Sequence, residues 1–276
     1  MGLTMPPSPD TPLAPTLPCA LSIAGSDSGG GAGIQADLLS FAAQGVYGAT
    51  ALTCVTAQNP DGVSAVHPCP PEVVTAQIRQ VLAFYPVRAA KTGMLFSEAI
   101  VQATARALAD AGNLPLVVDP VMVASSGARL LQEGAIRALA GDLIPLATVV
   151  TPNLDEAEIL LGRRPRATEI GRMADAAELA RRLGAAVLLK GGHGEGDELV
   201  DLLVDAGGRA LATRRAARVG GVDTHGSGCT LSAALAARLA LGDTLADAFA
   251  AAHAYLQRGL AGAIAVGPRR QIRHLP

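Results

Sequence analysis

The sequence has no tryptophan and only three tyrosines and four phenylalanines among its 276 residues, so aromatic side chains make up 3% of the chain. Platforms that stack bases are built from such rings, and their scarcity excludes a single-stranded nucleic-acid groove. Charge is thin as well: 17% of residues carry it, below the norm for soluble domains. Twenty-two basic residues face twenty-four acidic ones, for a formal net charge of −2. No basic surplus exists to neutralise the phosphates of a nucleic acid or an anionic membrane. Cysteine is also sparse. Cys19, Cys54, Cys69 and Cys229 form no Cys-x-x-Cys pair and have no histidines at zinc spacing. A chain this long needs no disulfide framework, so reduced thiols and a cytoplasmic setting are expected. Long apolar runs are missing too. The longest charge-free stretch, residues 38–60, is broken by Gln44, Gly45, Gly48, Gln58 and Asn59. It reads as a helix end plus a strand, since a membrane span needs about 20 predominantly apolar residues. The N-terminus shows neither a basic region nor the apolar core of a secretory signal.

What is present is a core former. Half of the residues are hydrophobic, which excludes global disorder. Six of the first eighteen residues are proline, so 1–18 reads as a disordered, dispensable tail and 19–276 as a single domain. Apolar runs at 19–24, 49–56, 89–92, 116–118, 148–150 and 186–189 read as buried strands. Helix-period segments at 34–44, 71–82, 97–111, 133–139, 155–161 and 175–183 alternate with them. Residues 199–204 and 209–216 read as an antiparallel pair turned at Gly207-Gly208. Two Ala-rich helices follow at 228–241 and 244–262. Strands as continuous apolar runs between helices predict an α/β fold, a mostly parallel sheet covered on both faces. A TIM barrel shares this length and alternation, and pattern alone leaves it open.

In such sheets ligands bind beyond the carboxyl ends of the strands, and the polar, Gly-rich segments recur there. Gly25-Ser-Asp-Ser-Gly-Gly-Gly-Ala-Gly33 follows the first strand. Its Gly31-Ala-Gly33-Ile-Gln-Ala36 fits a dinucleotide fingerprint formally, but Gln58 and Asn59 end the second strand where a ribose-binding acid belongs. The Gly-Lys-Ser/Thr of a phosphate-binding Walker loop is missing. The remaining readings are a plain turn or a backbone that approaches a small substrate, with Asp27 and Asp37 as acceptors. Thr224-His-Gly-Ser-Gly-Cys229 opens an Ala-rich helix. Gly226, Ser227, Gly228 and Cys229 then present backbone N–H groups to an anion, and a thiol there is expected to have a lowered pKa. A Gly-rich cap with an inert cysteine explains the same residues. Thr151-Pro-Asn-Leu-Asp-Glu156 starts another helix, where Asn153 and Glu156 suit a capping box. The same side chains also suit a phosphate-bound Mg²⁺, with Asp119 as a second carboxylate.

These segments occur in one order with Thr56-Ala-Gln-Asn59, Lys91-Thr-Gly-Met94, Asp119-Pro-Val-Met122 and Lys190-Gly-Gly-His193. Together they resemble the hydroxymethylpyrimidine/phosphomethylpyrimidine kinases of thiamine biosynthesis, in the ribokinase-like superfamily. The likeness runs from about residue 19 to 266. It implies a ribokinase-like sheet of about eight strands between helices. It also implies two ATP-dependent phosphorylations, of 4-amino-5-hydroxymethyl-2-methylpyrimidine and then of its monophosphate. By motif position Asp37, Gln58, Met94 and Val121 would line the pyrimidine pocket, and Asn153, Lys190 and Thr224 would serve the nucleotide. Glu156 and Asp119 would serve Mg²⁺. Gly226, Ser227, Gly228 and Cys229 would stabilise the transferring phosphoryl group, and Cys229 would stand where related sugar kinases place an aspartate base. A homodimer is expected, with no nucleic-acid or membrane partner. The family's Gly-rich closing segment is replaced here by the shortened, basic Ala265-Val-Gly-Pro-Arg-Arg-Gln-Ile-Arg-His-Leu-Pro276. The rivals are a pyridoxal or pyridoxine kinase and, in another class, a non-catalytic pyrimidine-binding protein.

Overall fold

In the central strands, adjacent residues are buried in pairs: Ala20 and Leu21, Ala89 and Ala90, Val117 and Val118, Val149 and Val150, Val187 and Leu188. A period of two sends one member of each pair to either face of the sheet, so both faces must be covered. The computed structural model, which describes residues 17–122, 133–192 and 198–275, shows this arrangement. The Pro-rich stretch 1–16 and His193 lie outside the described residues.

The chain runs β1 (Cys19–Asp27), α1 (Gly33–Ala43), β2 (Tyr47–Asn59), β3 (Gly62–Pro68), α2 (Pro71–Phe84), β4 (Val87–Thr92) and α3 (Glu98–Ala109). It continues through β5 (Leu116–Val118), α4 (Glu133–Ala138), β6 (Val149–Val150), α5 (Leu154–Leu161), α6 (Glu169–Leu183) and β7 (Ala186–Leu189). It ends with β8 (Glu198–Val204), β9 (Ala210–Ala217), α7 (Ser227–Ala240), α8 (Leu245–Ala261), β10 (Ile264–Val266) and β11 (Arg269–Gln271). The main sheet has the order β3-β2-β1-β4-β5-β6-β7-β8-β9. The strands from β2 through β7 pair in parallel across the middle, while β3, β8 and β9 are antiparallel. An open order with β3 and β9 as edges excludes the barrel.

The core divides accordingly. Ala20, Val117, Leu188 and Leu203 meet α1, α7 and α8 on one face, whereas Leu21, Val118, Val187 and Leu202 meet the side chains of α2 to α6 on the other. Ala233, Ala234, Ala236 and Ala237 are fully buried in α7, and their small size lets this helix lie close to both α8 and the sheet. Side-chain caps begin several helices: Ser97 accepts from Ile100 N, Thr168 from Gly171 N, and Thr244 from Asp247 N. Each such cap is worth about 1 kcal/mol.

Three segments differ from the sequence reading. The sheet holds nine strands rather than about eight, because β3 adds to β2 as an exposed edge with little apolar patterning. Helix α6 begins at Glu169, six residues before the expected 175, where Thr168 caps it. The basic C-terminal segment forms the β10–β11 hairpin and then returns to the body. There Thr230 Oγ1 lies 2.9 Å from His274 Nε2, and Tyr255 Oη donates to the His274 carbonyl at 2.9 Å.

Candidate active site

The carboxyl ends of β1, β2, β4, β5, β6 and β7 and the start of α7 enclose a cavity of ≈ 450 Å³. From the β2, β4 and β5 ends come Gln58, Met94 and Val121. Asp119, Asn153, Glu156 and Lys190 line the other side, and Thr224, Gly226, Ser227, Gly228 and Cys229 form the wall between. Twelve of the thirteen expected site residues therefore share one cavity.

Asp37 is the exception. It lies in α1 with no exposed surface, and it does not line the cavity. Both of its carboxylate oxygens stand 2.9 Å from Nζ of Lys91, and Ser22 Oγ donates to one of them. The ion pair is fully sealed, so the carboxylate is spent on a buried lysine rather than held out to a substrate. Lys91 itself reaches the cavity floor. Burial draws its pKa down, but Asp37, with Cys229 and Asp119, outweighs this and raises it, so the ammonium stays charged.

The nucleotide side is an acid–lysine cluster. Lys190 Nζ donates to Asp119 Oδ1 at 2.9 Å and lies 4.0 Å from Glu156 Oε2. Thr151 and Ser232 hydroxyls also donate to Asp119. Against the penalty of burial, Lys190 and Lys91 hold the Asp119 carboxyl below its ordinary value. Glu156 behaves oppositely: burial, with Asp119 nearby, lifts it to about 7 even though Lys190 opposes the shift. Asn153 and Glu156 form the complete capping box, Glu156 N to Asn153 Oδ1 at 2.8 Å and Asn153 N to Glu156 Oε2 at 2.9 Å. The structural reading of this pair therefore holds, and it also fixes both side chains at the cavity.

At the start of α7, Gly226 has φ +80, and a Cβ there would collide with the Gly31 carbonyl. Only glycine allows the two loops to touch. Ser227 N turns back onto Thr224 O at 3.0 Å, and among the described residues the amides of Gly226, Gly228 and Cys229 are left for an anion. The thiol departs from expectation. Burial, which Lys91 only partly offsets, pushes Cys229 up to about 11 rather than down. The loss of water outweighs the attraction of Lys91 and the hydrogen bond from the Gly33 amide.

One pairing was not legible in the sequence. His225 Nε2 stands 3.0 Å from Asp27 Oδ2 although 198 residues separate them. Asp27 also accepts from Gly29 N at 2.7 Å and Ala32 N at 2.8 Å. Burial raises its pKa, but His225, Gln58 and these amides outweigh that and hold it at about 2. This carboxylate organises the Gly-rich loop and latches it to the α7 loop. A glycine turn accounts for His225 in the sequence, and no local signal pairs it with Asp27.

The acids suit a hard cation in part. Among the described residues no group of three or more His, Cys, Asp or Glu is placed to hold a metal. Asp119 and Glu156 supply oxygen donors, and the Glu156 carboxyl is raised to about 7 by its burial and by Asp119 beside it. That fits Mg²⁺ shared with phosphate oxygens and water better than a protein-only cage. No helix among the described residues is long and apolar enough to cross a membrane, and all four cysteines are free.

Residues 27–273 match the family model described as phosphomethylpyrimidine kinase. A hydroxymethylpyrimidine/phosphomethylpyrimidine kinase of Rhizobium meliloti is 51% identical over 245 residues, covering 88% of this chain and 91% of the relative. Among solved structures, the ADP complex of Bacillus subtilis pyridoxal kinase is similar, with a TM-score of 0.85 and 35% identity over 94% of this chain and 98% of that one. A phosphomethylpyrimidine kinase from Clostridium difficile has a TM-score of 0.76 and 38% identity over 87% of this chain and 98% of that one. The ribokinase-like fold, the order of the motifs and their convergence on one cavity agree with these likenesses. The chain is a kinase, and it belongs to the phosphomethylpyrimidine kinase family.

Proposed function

We propose that the chain transfers the γ-phosphoryl group of ATP to the hydroxymethyl oxygen of 4-amino-5-hydroxymethyl-2-methylpyrimidine, then a second one to the monophosphate, two steps of thiamine diphosphate biosynthesis. The observation that carries this reading is the meeting of Asp119, Glu156 and Lys190 with the amides of Gly226, Gly228 and Cys229 around one cavity. Phosphoryl transfer asks little covalent chemistry of a protein. It asks for positioning and for positive charge where the phosphate oxygens gain negative charge. A non-catalytic pyrimidine-binding protein would have no use for this set.

In the proposal Gln58, Met94 and Val121 hold the pyrimidine. An amide both donates and accepts, which suits an aminopyrimidine edge. Asn153, Lys190 and Thr224 hold the nucleotide phosphates, and Asp119 and Glu156 hold Mg²⁺ with them. When bound there, Mg²⁺ supplies charge neutralisation on the phosphate oxygens. The α7 amides receive the phosphoryl group in flight. Cys229 orients the acceptor hydroxyl. With its pKa at about 11 it is mostly protonated at neutral pH, so only its minor thiolate form accepts the hydroxyl proton as the new P–O bond forms, leaving a neutral thiol and ADP. A single kinase domain over 19–276, a cytoplasmic setting and a homodimer complete the reading. The edge strand β3, which has no strand on its outer side among the described residues, supports the last of these.

Pyridoxal is the second reading, favoured by the likeness in shape to a pyridoxal kinase. One experiment separates the two. The protein is incubated with Mg-ATP and either the pyrimidine alcohol or pyridoxal, and the products are resolved by anion exchange and phosphorus NMR. Pyrimidine monophosphate followed by diphosphate is expected. Pyridoxal phosphate alone would move the assignment to the second reading, and no phosphorylated product from either substrate would refute kinase action on both.

A further inference from the structure

Asp201 sits on β8 and points toward the face covered by α8. Its neighbour Leu203 joins the apolar cluster on that face, and the flanking positions give no reason for a carboxylate. Burying one is costly unless it is bonded. Asp201 is 13% exposed at its side chain, and burial raises its pKa. Two partners account for it. Oδ1 accepts the backbone N–H of Gly191 at 2.8 Å, and Oδ2 lies 4.0 Å from Nε2 of the buried His253. The first is a hydrogen bond, whereas the second is a longer ion contact.

Gly191 follows Lys190 directly. A Cβ at Gly191 would collide with the Val200 carbonyl, so the loop is pressed against β8. On the opposite side Lys190 N donates to Pro152 O at 2.8 Å, next to Asn153. Lys190 is thus pinned from both flanks, by the β6 loop through Pro152 and by β8 through Asp201. Its Nζ then falls on Asp119, and Gly192 lies on the cavity wall.

We infer that Asp201 is a positioning residue for the nucleotide: by holding the Gly191 amide it sets the backbone from which Lys190 and Gly192 meet the ATP phosphates. This rests on the reading of the Lys190 loop as the nucleotide end of the site. Asp201 touches no substrate. Its effect falls on one end of the cavity, because Gln58, Met94 and Val121 are carried by β2, β4 and β5, on the other side of β6.

The test compares KM for ATP with KM for the pyrimidine in Asp201→Leu, Asp201→Ala and Asp201→Asn, each checked for a melting transition. Leucine suits the surrounding apolar cluster and lacks the acceptor. Loss of a hydrogen bond to a charged group predicts a rise of about tenfold in KM for ATP in the Leu and Ala variants. KM for the pyrimidine should stay within about twofold. Asn keeps an acceptor oxygen and should restore most of the affinity. His253→Gln, which leaves the Asp201–Gly191 bond in place, should leave KM for ATP unchanged. An unchanged KM for ATP in a folded variant without the acceptor overturns the inference, as does an equal rise for both substrates. If neither Leu nor Ala folds, hydrogen exchange of the Gly191 amide in the parent decides: protection upholds the bond and fast exchange removes it. A parent with no ATP turnover would overturn the kinase reading, and this inference with it. A parent that turns over while the variants keep their affinity for ATP overturns this inference alone.

Discussion

Replacing Asp37 by leucine separates the two roles open to this carboxylate. In the structure Asp37 and Lys91 are both fully buried, with Nζ 2.9 Å from each carboxylate oxygen. Removing one partner of such a pair strands a charge without water. The expected loss is about 3–5 kcal/mol of folding stability. At roughly 2–4 °C per kcal/mol for a domain of this size, the melting temperature should fall by roughly 6–20 °C. The double variant Asp37→Leu/Lys91→Met removes both charges and keeps the volume. It should recover most of that loss, because hydrophobic replacement of a buried pair is often neutral or better. Scanning calorimetry and urea titration measure the two variants, and the pyrimidine KM is read alongside. If Asp37→Leu melts with the parent and instead loses pyrimidine affinity selectively, the carboxylate reads the substrate and the structural argument is wrong.

Other outcomes follow from the same geometry. Gln58→Leu should lower pyrimidine affinity by roughly tenfold or more, the effect of a buried partner left unpaired, while ADP binding measured by calorimetry is unchanged; equal pyrimidine affinity would remove Gln58 from the pocket. Cys229→Ala should slow turnover by about 10²–10⁴-fold with both substrates still bound, and turnover at the parent rate would reduce the thiol to packing. Because the Cys229 thiol is raised to about 11, its alkylation followed by mass spectrometry should be slow at pH 7 and climb steadily to pH 10; a plateau by pH 8 would mean a depressed pKa. For Glu156 the ordinary pKa of 4.5 is lifted to about 7 in the folded state, so the native protein keeps a proton that the unfolded chain releases. That contribution is complete below pH 4.5 and is lost as pH rises through 7. Glu156→Gln retains the cap and should gain about 2 kcal/mol on the parent between pH 5 and pH 8, read from urea midpoints; a constant difference would place the titration elsewhere.

Much of the site was legible before any coordinates. The cavity residues on loops after β2, β4, β5, β6 and β7 each follow an apolar run that could be marked as a strand. In a parallel sheet all such loops emerge at one edge, so finding the strands was enough to gather them. Asn153 and Glu156 are three residues apart, and their capping box is a local pattern visible in any chain. The edge strand β3 was harder, because an exposed strand alternates weakly and its reason for existing is the neighbouring β2. The C-terminal hairpin was likewise hidden, since Thr230 and Tyr255, which hold its end, lie far back in the sequence.

Sequence alone determined the α/β class and the alternation of most elements, and the motifs that resemble a known family named most of the residues that line the cavity. Apolar period and glycine position are local quantities, and short loops leave them few arrangements. The tertiary structure alone decided how the charges in that site are spent. Asp37 and Asp27 look alike on paper, each an acid beside a Gly-rich loop. Folding places one against Lys91, out of water, and the other against His225 at the cavity wall. The same holds for Cys229, whose helix terminus predicts a low pKa, whereas burial sends it up. Solvation and Coulomb energy depend on distances between residues remote in the chain and on how much water remains around them. Those quantities exist only once the chain has folded.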